Sequence, residues 1–302
     1  MLIIYCANPL QRKTPDSAYQ AEFSSASTLG IKNLLLNYGA LVDEADLSKA
    51  LRQIPSQPAP TLAIYRGWML TPEKYSILDK GLSERNVFLI NNSVAYRHCH
   101  YLPEWYDLAK PYTPKSIWLT IEAGYSIEKI MNALKPFGDN PLILKDFVKS
   151  RKHEWAEACY IPLASSRVEV ERVVNRFIAL QGHDLAGGLV FREFIEFEKL
   201  SQHSKSGMPL TKEFRLFFLD NKPIFWTEYW DESNYGGLTP PLDQSLNLAK
   251  NIKSRFFSMD IAKRINGNWI IVEIGDGQVS GLPHNTDSAF FYRALLANWP
   301  LN

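Results

Sequence analysis

Apolar and polar residues in the first third of the chain alternate in short blocks that predict strands separated by helical segments. Four apolar runs are typical of buried strands: Leu2–Cys6, Ala40–Asp43, Thr61–Tyr65 and Val87–Ile90. Between the first two, Glu22–Tyr38 favours a helix that ends at Gly39, a residue type common at helix C-termini. This order predicts a small α/β lobe with a partly parallel sheet, ending near residue 112.

The remaining chain, residues 113–302, has a different pattern, in which hairpins alternate with single helices. One predicted helix is capped by Ser126 and has helical spacing of its apolar residues Ile127, Ile130, Met131 and Leu134. The others are Val168–Gln181, ended by Gly182, and Leu242–Lys253, capped by Asp243. The predicted strands are Pro141–Phe147, Gly188–Phe197, Glu213–Leu219, Pro223–Trp230 and the two that flank Asn266-Gly267. Such interleaving indicates an α+β architecture, so we expect two regions, 1–112 and 113–302.

The hairpin around the Asn-Gly dipeptide predicts a pair of facing carboxylates. This dipeptide favours a two-residue type I′ turn, and counting outward from it pairs Lys263 with Ile270. The same count places Asp260 opposite Glu273. Opposed like charges about 5 Å apart destabilise a sheet, and a cation such as Mg²⁺ would neutralise them. The empty site would then be strained by repulsion; the alternative is a solvent-facing pair shielded by Lys263 or by protonation of one member.

Further charged side chains lie on predicted strands. Lys145 and Lys149 share a strand face if that strand runs far enough. A triphosphate would neutralise them, and the alternative is a frayed strand end with both lysines in water. Arg192 and Glu193 interrupt an apolar strand and point to opposite faces, so one of them faces either a structural salt bridge or a site.

The hairpin with the Asp-Asn turn gathers charge as well. Its register predicts Glu213 opposite Glu228, with Arg215 on the same face as Glu213. Arg215 is then available to pair with these carboxylates or with phosphate. Asp276, in the glycine-rich stretch after the last strand, is a further candidate metal ligand.

Composition excludes several classes of protein. Net charge is +1 over 302 residues, which does not indicate nucleic acid or an anionic membrane as partner. Three cysteines without CxxC spacing argue against a disulfide scaffold or zinc site and favour a reducing, cytoplasmic location. No apolar run approaches the roughly 18 residues of a membrane span. P-loop, dinucleotide-binding and serine-hydrolase motifs are absent, and the histidines form no metal pattern, with surface positions favoured for His98 and His100.

Four segments taken together resemble the ATP-grasp superfamily. They are ILKDFVKSRKHEW, GGLVFREFIEF, EFRLFFLDNKPIFWTEYW and FFSMDIAKRINGNWIIVEIGDGQVSGLP, which span about residues 115–285. In particular they resemble the divergent clade named for one arginine and two lysines, which also contains the eukaryotic assembly chaperone of translation initiation factor 2. The resemblance implies two α+β lobes that hold a nucleotide between antiparallel sheets. YRGWML and CHYLPEWY resemble the family's preceding N-terminal lobe.

The resemblance also implies roles for individual residues. Lys145 would contact the phosphates of ATP with Lys149 nearby, and Arg215 would reach a phosphate or the acyl group. The adenine hinge would comprise Arg192, Glu193, Phe194 and Ile195. The ligands of magnesium would be Asp260 and Glu273, which agrees with the hairpin register. A third position, often asparagine in the superfamily, falls on Gly275; Asp276 is the expected substitute and Gln278 the reserve.

The function implied is that of a Mg-ATP-dependent ligase of the carboxylate–amine, peptide-joining type, acting through an acyl phosphate. Its partners would be ATP and an unidentified carboxylate or protein substrate. Two alternatives stay open at this point. One is an ATP-binding assembly factor without turnover of a small substrate, and the other is a phosphotransferase.

Overall fold

Four sheets organise the protein, seen in a computed structural model that describes residues 1–121, 124–203, 205, 207–231, 235–284 and 286–300. The strands are β1 (Leu2–Cys6), β2 (Lys32–Leu36), β3 (Thr61–Arg66), β4 (Val87–Leu89), β5 (Ser116–Thr120), β6 (Leu142–Asp146), β7 (Tyr160–Ile161), β8 (Gly188–Glu193), β9 (Lys199–Gln202), β10 (Pro209–Thr211), β11 (Glu213–Leu219), β12 (Lys222–Glu228), β13 (Phe256–Lys263) and β14 (Trp269–Asp276). The α-helices are α1 (Gln20–Thr28), α2 (Tyr38–Val42), α3 (Leu47–Ala50), α4 (Pro72–Ser83), α5 (Ser93–His100), α6 (Leu102–Ala109), α7 (Ile127–Leu134), α8 (Arg167–Gln181), α9 (Asp243–Ala249) and α10 (Ser288–Ala297).

The N-terminal sheet is parallel, with strand order β2-β1-β3-β4. Its α/β character was predicted, but the prediction of a strand at Ala40–Asp43 is wrong. The second strand is β2, and Asn37 after it caps α2 by accepting a hydrogen bond from the backbone N–H of Ala40. The helix predicted to end at Gly39 ends earlier, before Gly30, whose φ of +73° suits glycine.

The next four-stranded sheet is antiparallel and has the order β5-β8-β6-β7. Helices α7 and α8 pack on it around a core of buried aliphatic residues and Phe177. The predicted caps of these helices are confirmed: Ser126 accepts from the N–H of Lys129, and α8 ends at Gly182 with φ +52°. Strand β8 ends at Glu193, so the chain from Phe194 onward leaves the sheet earlier than predicted.

The last four-stranded sheet is antiparallel, with order β12-β11-β13-β14. One face packs on α5, α6 and α9 through residues such as Met259 and Phe257, and the other face carries charge. Asp220 and Asn221 have φ of +47° and +65°, as the predicted two-residue turn requires. A bulge after Phe217 shifts that hairpin, so Glu228 pairs with Phe214 and the predicted pairing with Glu213 is wrong.

The β13–β14 hairpin reaches the predicted Asp260–Glu273 pairing by two compensating irregularities. Its turn contains three residues rather than two, because the N–H of Arg264 donates to the carbonyl of Asn268 and only Gly267 has a positive φ. Lys263 therefore faces Trp269, and the predicted partner Ile270 is wrong by one residue. A bulge then restores the register and Asp260 pairs with Glu273, as predicted.

Buried polar side chains join the N-terminal sheet to the last sheet. Arg66 donates from Nη1 to the carbonyls of Gly277 (2.9 Å), Gln278 (3.1 Å) and Ser280 (2.8 Å), and its other nitrogens bind Glu22. Asn91 binds the N–H and the carbonyl of Phe256. The boundary near residue 112 stays a prediction. Among the described residues, no helix is both long enough and apolar enough to cross a bilayer.

Candidate functional site

A cleft of about 670 Å³ is lined by residues of both antiparallel four-stranded sheets. Six of the ten predicted site residues line it: Lys145, Arg192, Glu193, Phe194, Ile195 and Glu273. Strand β6 carries Lys145, strand β14 carries Glu273, and the segment after β8 supplies Phe194 and Ile195. The antiparallel sheets therefore bring together residues that are more than a hundred positions apart in the chain.

The facing carboxylates Asp260 and Glu273 are each held by a cation. Arg215 donates from Nε and Nη2 to the two oxygens of Asp260, both at 2.8 Å, and Lys145 Nζ lies 2.6 Å from Glu273 Oε1. Burial alone would raise the pKa of Glu273, but Lys145 and Lys152 outweigh it and lower the pKa to about 2. The expected strain from carboxylate repulsion is therefore wrong. So is the solvent-facing alternative, because Asp260 is buried.

Asp276 lies away from this pair. It pairs with Phe257 at the other end of the hairpin, and its oxygens accept hydrogen bonds from the side chain of Asn91 and from Gln278. Gln278 in turn donates to the hydroxyl of Tyr75 and accepts from the N–H of Tyr65. The structure thus brings neither Asp276 nor its reserve Gln278 to the Asp260–Glu273 pair, because the chain turns toward the N-terminal sheet at that point.

Lys149 does not share a strand face with Lys145, so that part of the prediction is wrong. Strand β6 ends at Asp146, whose Oδ1 accepts from the N–H groups of Val148 and Lys149 and closes a tight turn. Lys149 consequently lines a second cavity, while Lys152, beyond the turn, lines the first. Strand alternation could not reveal this, since the alternation stops where the strand stops.

Lys152 and Glu213 are site residues that the sequence did not assign. Lys152 Nζ lies 5.5 Å from the ring centre of Tyr229 and 5.7 Å from that of Trp230, within range of a cation–π contact. Glu213 is buried and lines the cleft, and its Oε1 has no hydrogen-bond partner among the described residues. Burial raises the pKa of Glu213 to about 7, while Lys152 opposes the increase. The family motif KSRKHEW contains Lys152 and was the one signal available for it.

Arg192 is a buried cation with spare hydrogen-bonding capacity. Its Nη2 donates to the hydroxyl of Thr113, but its Nε has no partner among the described residues. Burial lowers the pKa of Arg192 to about 10, and Glu273 opposes the decrease. Of the two interpretations left open by the sequence, the structural salt bridge is not found for Arg192, whose side-chain contacts among the described residues are a hydroxyl and a carbonyl.

Aromatic rings pack around Phe194, which follows β8, and two buried histidines lie separately on α5. Trp155 stacks on Tyr160 at 5.4 Å between ring centres, and Phe194 packs edge-on against Tyr160 at 5.2 Å. His98 and His100, both expected at the surface, are instead buried. His100 stacks on Tyr96 at 4.8 Å between ring centres. Burial lowers its pKa to about 4, so the imidazole is neutral at pH 7. The expectation failed because α5, which carries both histidines, packs against β14.

Solved structures of ATP-grasp proteins share this fold over nearly the whole chain. The ATP-grasp ligase PsnB, complexed with minimal precursor, Mg and ADP, is 14% identical, with 98% of this chain and 97% of that chain covered and a TM-score of 0.57. A RimK domain ATP-grasp protein from Sphaerobacter thermophilus DSM 20745 is 15% identical, with coverages of 98% and 100% and a TM-score of 0.56. The D-alanine–D-alanine ligase from Bacillus anthracis, complexed with ATP, is 14% identical, with coverages of 98% and 90% and a TM-score of 0.57.

Sequence comparison identifies the family itself. No curated protein matches the chain significantly. The model of an ATP-grasp domain family, family 3 of the clade named for one arginine and two lysines, matches residues 136–295. That span is more than half of the 302 residues and contains the central strands of both sheets that line the cleft. The match therefore confirms the resemblance and the α+β fold class predicted from the motifs. The chain belongs to family 3 of this arginine-and-two-lysine clade of ATP-grasp domains.

Proposed function

We propose that this protein is a Mg-ATP-dependent ligase that joins a carboxylate to an amine through an acyl phosphate. The observation that carries the proposal is the pairing of Asp260 with Glu273 beside a cleft, each balanced by a cation from another strand. Paired carboxylates suit magnesium, and the cations beside them suit phosphate groups. PsnB, which has the same fold, has been solved with Mg and ADP, and this supports the proposal.

The residues of the cleft fit Mg-ATP because one of their buried hydrogen-bond donors has no acceptor among the described residues. Arg192 Nε is buried without a partner among the described residues, and such an atom costs free energy until an acceptor reaches it. Phosphate oxygens are suitable acceptors. Lys152 lines the same cleft with its ammonium against the rings of Tyr229 and Trp230. We therefore assign the phosphates to Lys145, Lys152 and Arg192, and magnesium to Asp260 and Glu273.

The adenine end of the nucleotide has a matching surface. Phe194 and Trp155 line the cleft together with Glu193, the last residue of β8, and Ile195, which lies beyond the strand. A flat heterocycle can pack on the aromatic rings and hydrogen bond to backbone groups that have left the sheet. We propose that this segment binds adenine, as the family resemblance implies.

Catalysis would consist mainly of positioning and charge neutralisation. Bound magnesium would supply the positive charge that stabilises phosphate oxygens during transfer. With magnesium held by Asp260 and Glu273, Lys145 and Arg215 would no longer be needed as counter-ions of these carboxylates. We propose that Lys145 turns to the transferred phosphate and that Arg215, 15% exposed at its side chain, reaches the acyl group.

An assay of ATP turnover and of ATP binding tests the proposal. Purified protein is incubated with Mg-ATP and candidate carboxylates and amines, and the nucleotide products are separated. We expect ADP and phosphate, and we expect millimolar Mg-ATP to raise the melting temperature; at a hundredfold excess over Kd the stabilisation is about 2.7 kcal/mol. Lys145→Ala should reduce this stabilisation.

The outcomes separate the alternative functions. Tight Mg-ATP binding without turnover would favour an ATP-binding assembly factor, and phosphate transfer to a hydroxyl would identify a phosphotransferase. Absence of any thermal shift, together with absence of binding by calorimetry, would contradict nucleotide binding itself. The Lys13→Ala variant, which changes a lysine outside the cleft, is the control for Lys145→Ala.

A further inference from the structure

A second cavity, of about 510 Å³, lies at the carboxyl ends of three parallel strands. Its walls include Pro9 after β1, Asn37 after β2 and Trp68 after β3, and the strand order β2-β1-β3 places a topological switch point here. In open α/β sheets, ligands bind in the crevice outside the carboxyl ends of the strands at such a point. The cavity therefore has the position of a small-molecule site.

Charges of both signs line this cavity without neutralising one another. Within the described part of the chain, Arg12, Lys149 and Asp43 line it, and none of their charged groups has a hydrogen bond or an ion pair. Opposite charges that line one cavity without pairing leave room for a ligand with complementary charges at its two ends. A carboxylate fits the cations and an ammonium fits Asp43.

Apolar side chains form another part of the same cavity. Trp68 and Met69 are 44% and 36% exposed although they are large apolar residues, and both line it. The hydroxyl of Tyr38 holds this wall by donating to the carbonyl of Met69 at 2.9 Å. An apolar body between the two charged ends of a ligand would cover these exposed surfaces.

Lys149 connects the second cavity with the nucleotide cleft. It belongs to the turn that follows Lys145, and a bridge between Lys145 and Ser150 closes this turn. Lys145 itself lies 2.6 Å from Glu273, and both Lys145 and Lys149 lower the pKa of the buried imidazole of His100. A carboxylate held by Lys149 would consequently lie beside the phosphate-binding lysine.

We propose that the second cavity binds the acyl donor of the proposed ligase, and that this donor is a zwitterion with an apolar body, such as an apolar amino acid or short peptide with both ends free. Lys149 holds the carboxylate toward the nucleotide and Asp43 holds the ammonium at the far end. The inference rests on the proposed function and adds the chemical class of its substrate. Arg12, which also lines the cavity and has no ion pair among the described residues, adds positive charge to it.

The chemistry follows from this orientation. A carboxylate oxygen attacks the terminal phosphorus of ATP, the bond from that phosphorus to the bridging oxygen breaks, and ADP leaves with the electron pair. The nucleophilic amine, as the free base, then attacks the acyl carbon, phosphate leaves with the electrons of the C–O bond, and one proton passes from the amine nitrogen to the leaving phosphate. The ammonium held by Asp43 stays protonated, so the donor does not react with itself.

Hydroxylamine, which traps acyl phosphates as hydroxamates, makes the test independent of the natural amine. L-Methionine, L-leucine and L-leucyl-L-leucine serve as probes with Mg-ATP, and N-acetyl-L-methionine and L-methioninamide serve as blocked analogues. We expect ADP and hydroxamate from at least one zwitterion, with at least tenfold lower kcat/KM for its N-acetyl form and no hydroxamate from the amide. Asp43→Asn should reduce the preference over the N-acetyl form at least fivefold, and Lys149→Gln should raise the KM of the zwitterion.

Matched control variants and a binding measurement distinguish a failure of this inference from a failure of the proposed function. Asp107→Asn and Lys13→Gln make the same changes at positions outside the cavity and should leave the preference unchanged. If Mg-ATP raises the melting temperature but no zwitterion yields hydroxamate or a further thermal shift, the inference is overturned while nucleotide binding stands. An N-acetyl form used as well as the free amino acid would also overturn it. Absence of Mg-ATP binding would overturn the proposed function together with the inference.

Discussion

Arg215 binds both oxygens of Asp260 at 2.8 Å, and neither side chain is free in water. The exposed fractions of the two side chains are 15% and 3%, so the pair sits in a medium where an unpaired charge is costly. The pairing gives the carboxylate a partner before any metal is bound. Removing one of the two charges therefore leaves the other buried without its partner.

Asp260→Asn is therefore expected to destabilise the metal-free protein by about 3–5 kcal/mol, because it leaves Arg215 buried and unpaired. This is the opposite of what carboxylate repulsion would give. The measurement is urea unfolding in EDTA. Asp220→Asn is the matched control, since Asp220 forms an ion pair with Arg255 in which both partners are more than 40% exposed, and it should cost less than about 1 kcal/mol. Equal effects of the two substitutions would show that burial does not govern the Asp260 pair.

Lys152 and Lys149 are expected to affect nucleotide binding differently although they are three residues apart. Lys152→Met should weaken Mg-ATP binding about 10- to 100-fold, the loss of one charge-assisted contact of about 1.5–3 kcal/mol. Lys149→Met should change Kd less than about threefold, since Lys149 lines the second cavity. Calorimetric titration with Mg-AMPPNP measures both constants. A larger loss for Lys149→Met than for Lys152→Met would reverse the assignment of the two lysines.

Glu213 is expected to make stability depend on pH. Burial raises its pKa from 4.5 to about 7, so the folded protein holds this proton more tightly than the unfolded chain. The free energy of unfolding contributed by Glu213 is therefore fully present below the unfolded pKa and falls as pH rises toward 7. Glu213→Gln should remove this decrease, so that the variant gains stability over wild type at pH 8 relative to pH 5. Urea unfolding in EDTA at the two pH values tests it, and identical pH profiles would contradict it.

Glu22 is expected to be important for stability although it does not line the cleft. Its ion pair with Arg66 is buried, with side-chain exposures of 9% and 1%, and Tyr292 also donates to it at 2.6 Å. Glu22→Gln should lower the free energy of unfolding by about 3–5 kcal/mol. Glu44→Gln breaks an exposed ion pair with Lys49 and should cost less than about 1 kcal/mol. Thermal unfolding of both variants decides between a buried and a surface contribution.

Local patterns in the sequence predicted much of the fold. Amphipathic spacing and the cap Ser126 predicted helix α7, and Ser126 accepts a hydrogen bond from the first turn of that helix. The Asp-Asn turn was also predicted, because both of its residue types tolerate positive φ. The strand pairing of Asp260 with Glu273 was also predicted, although two irregularities had to cancel for the count to hold.

The parts that failed depend on contacts between distant segments. Strand β2 was assigned to a helix because its apolar run fits either structure, and only pairing with β1 selects the strand. The counter-ions of Asp260 and Glu273 could not be predicted, since Lys145 reaches Glu273 from another sheet. Likewise, the position of Lys149 depends on where β6 ends, which is set by the side chain of Asp146.

The side chain of Asn91 links the N-terminal region of the chain to the start of strand β13. Its side-chain oxygen accepts from the N–H groups of Arg255 and Phe256, and its amide donates to the carbonyl of Phe256 and to Asp276. One amide from the N-terminal region thus takes the place of a neighbouring strand at the start of β13. A fragment beginning after residue 112 would expose these backbone groups together with the carboxylate of Asp276. Although sequence pattern separates the two regions, they should fold cooperatively as one thermodynamic unit, and neither should be expressible as a stable independent domain.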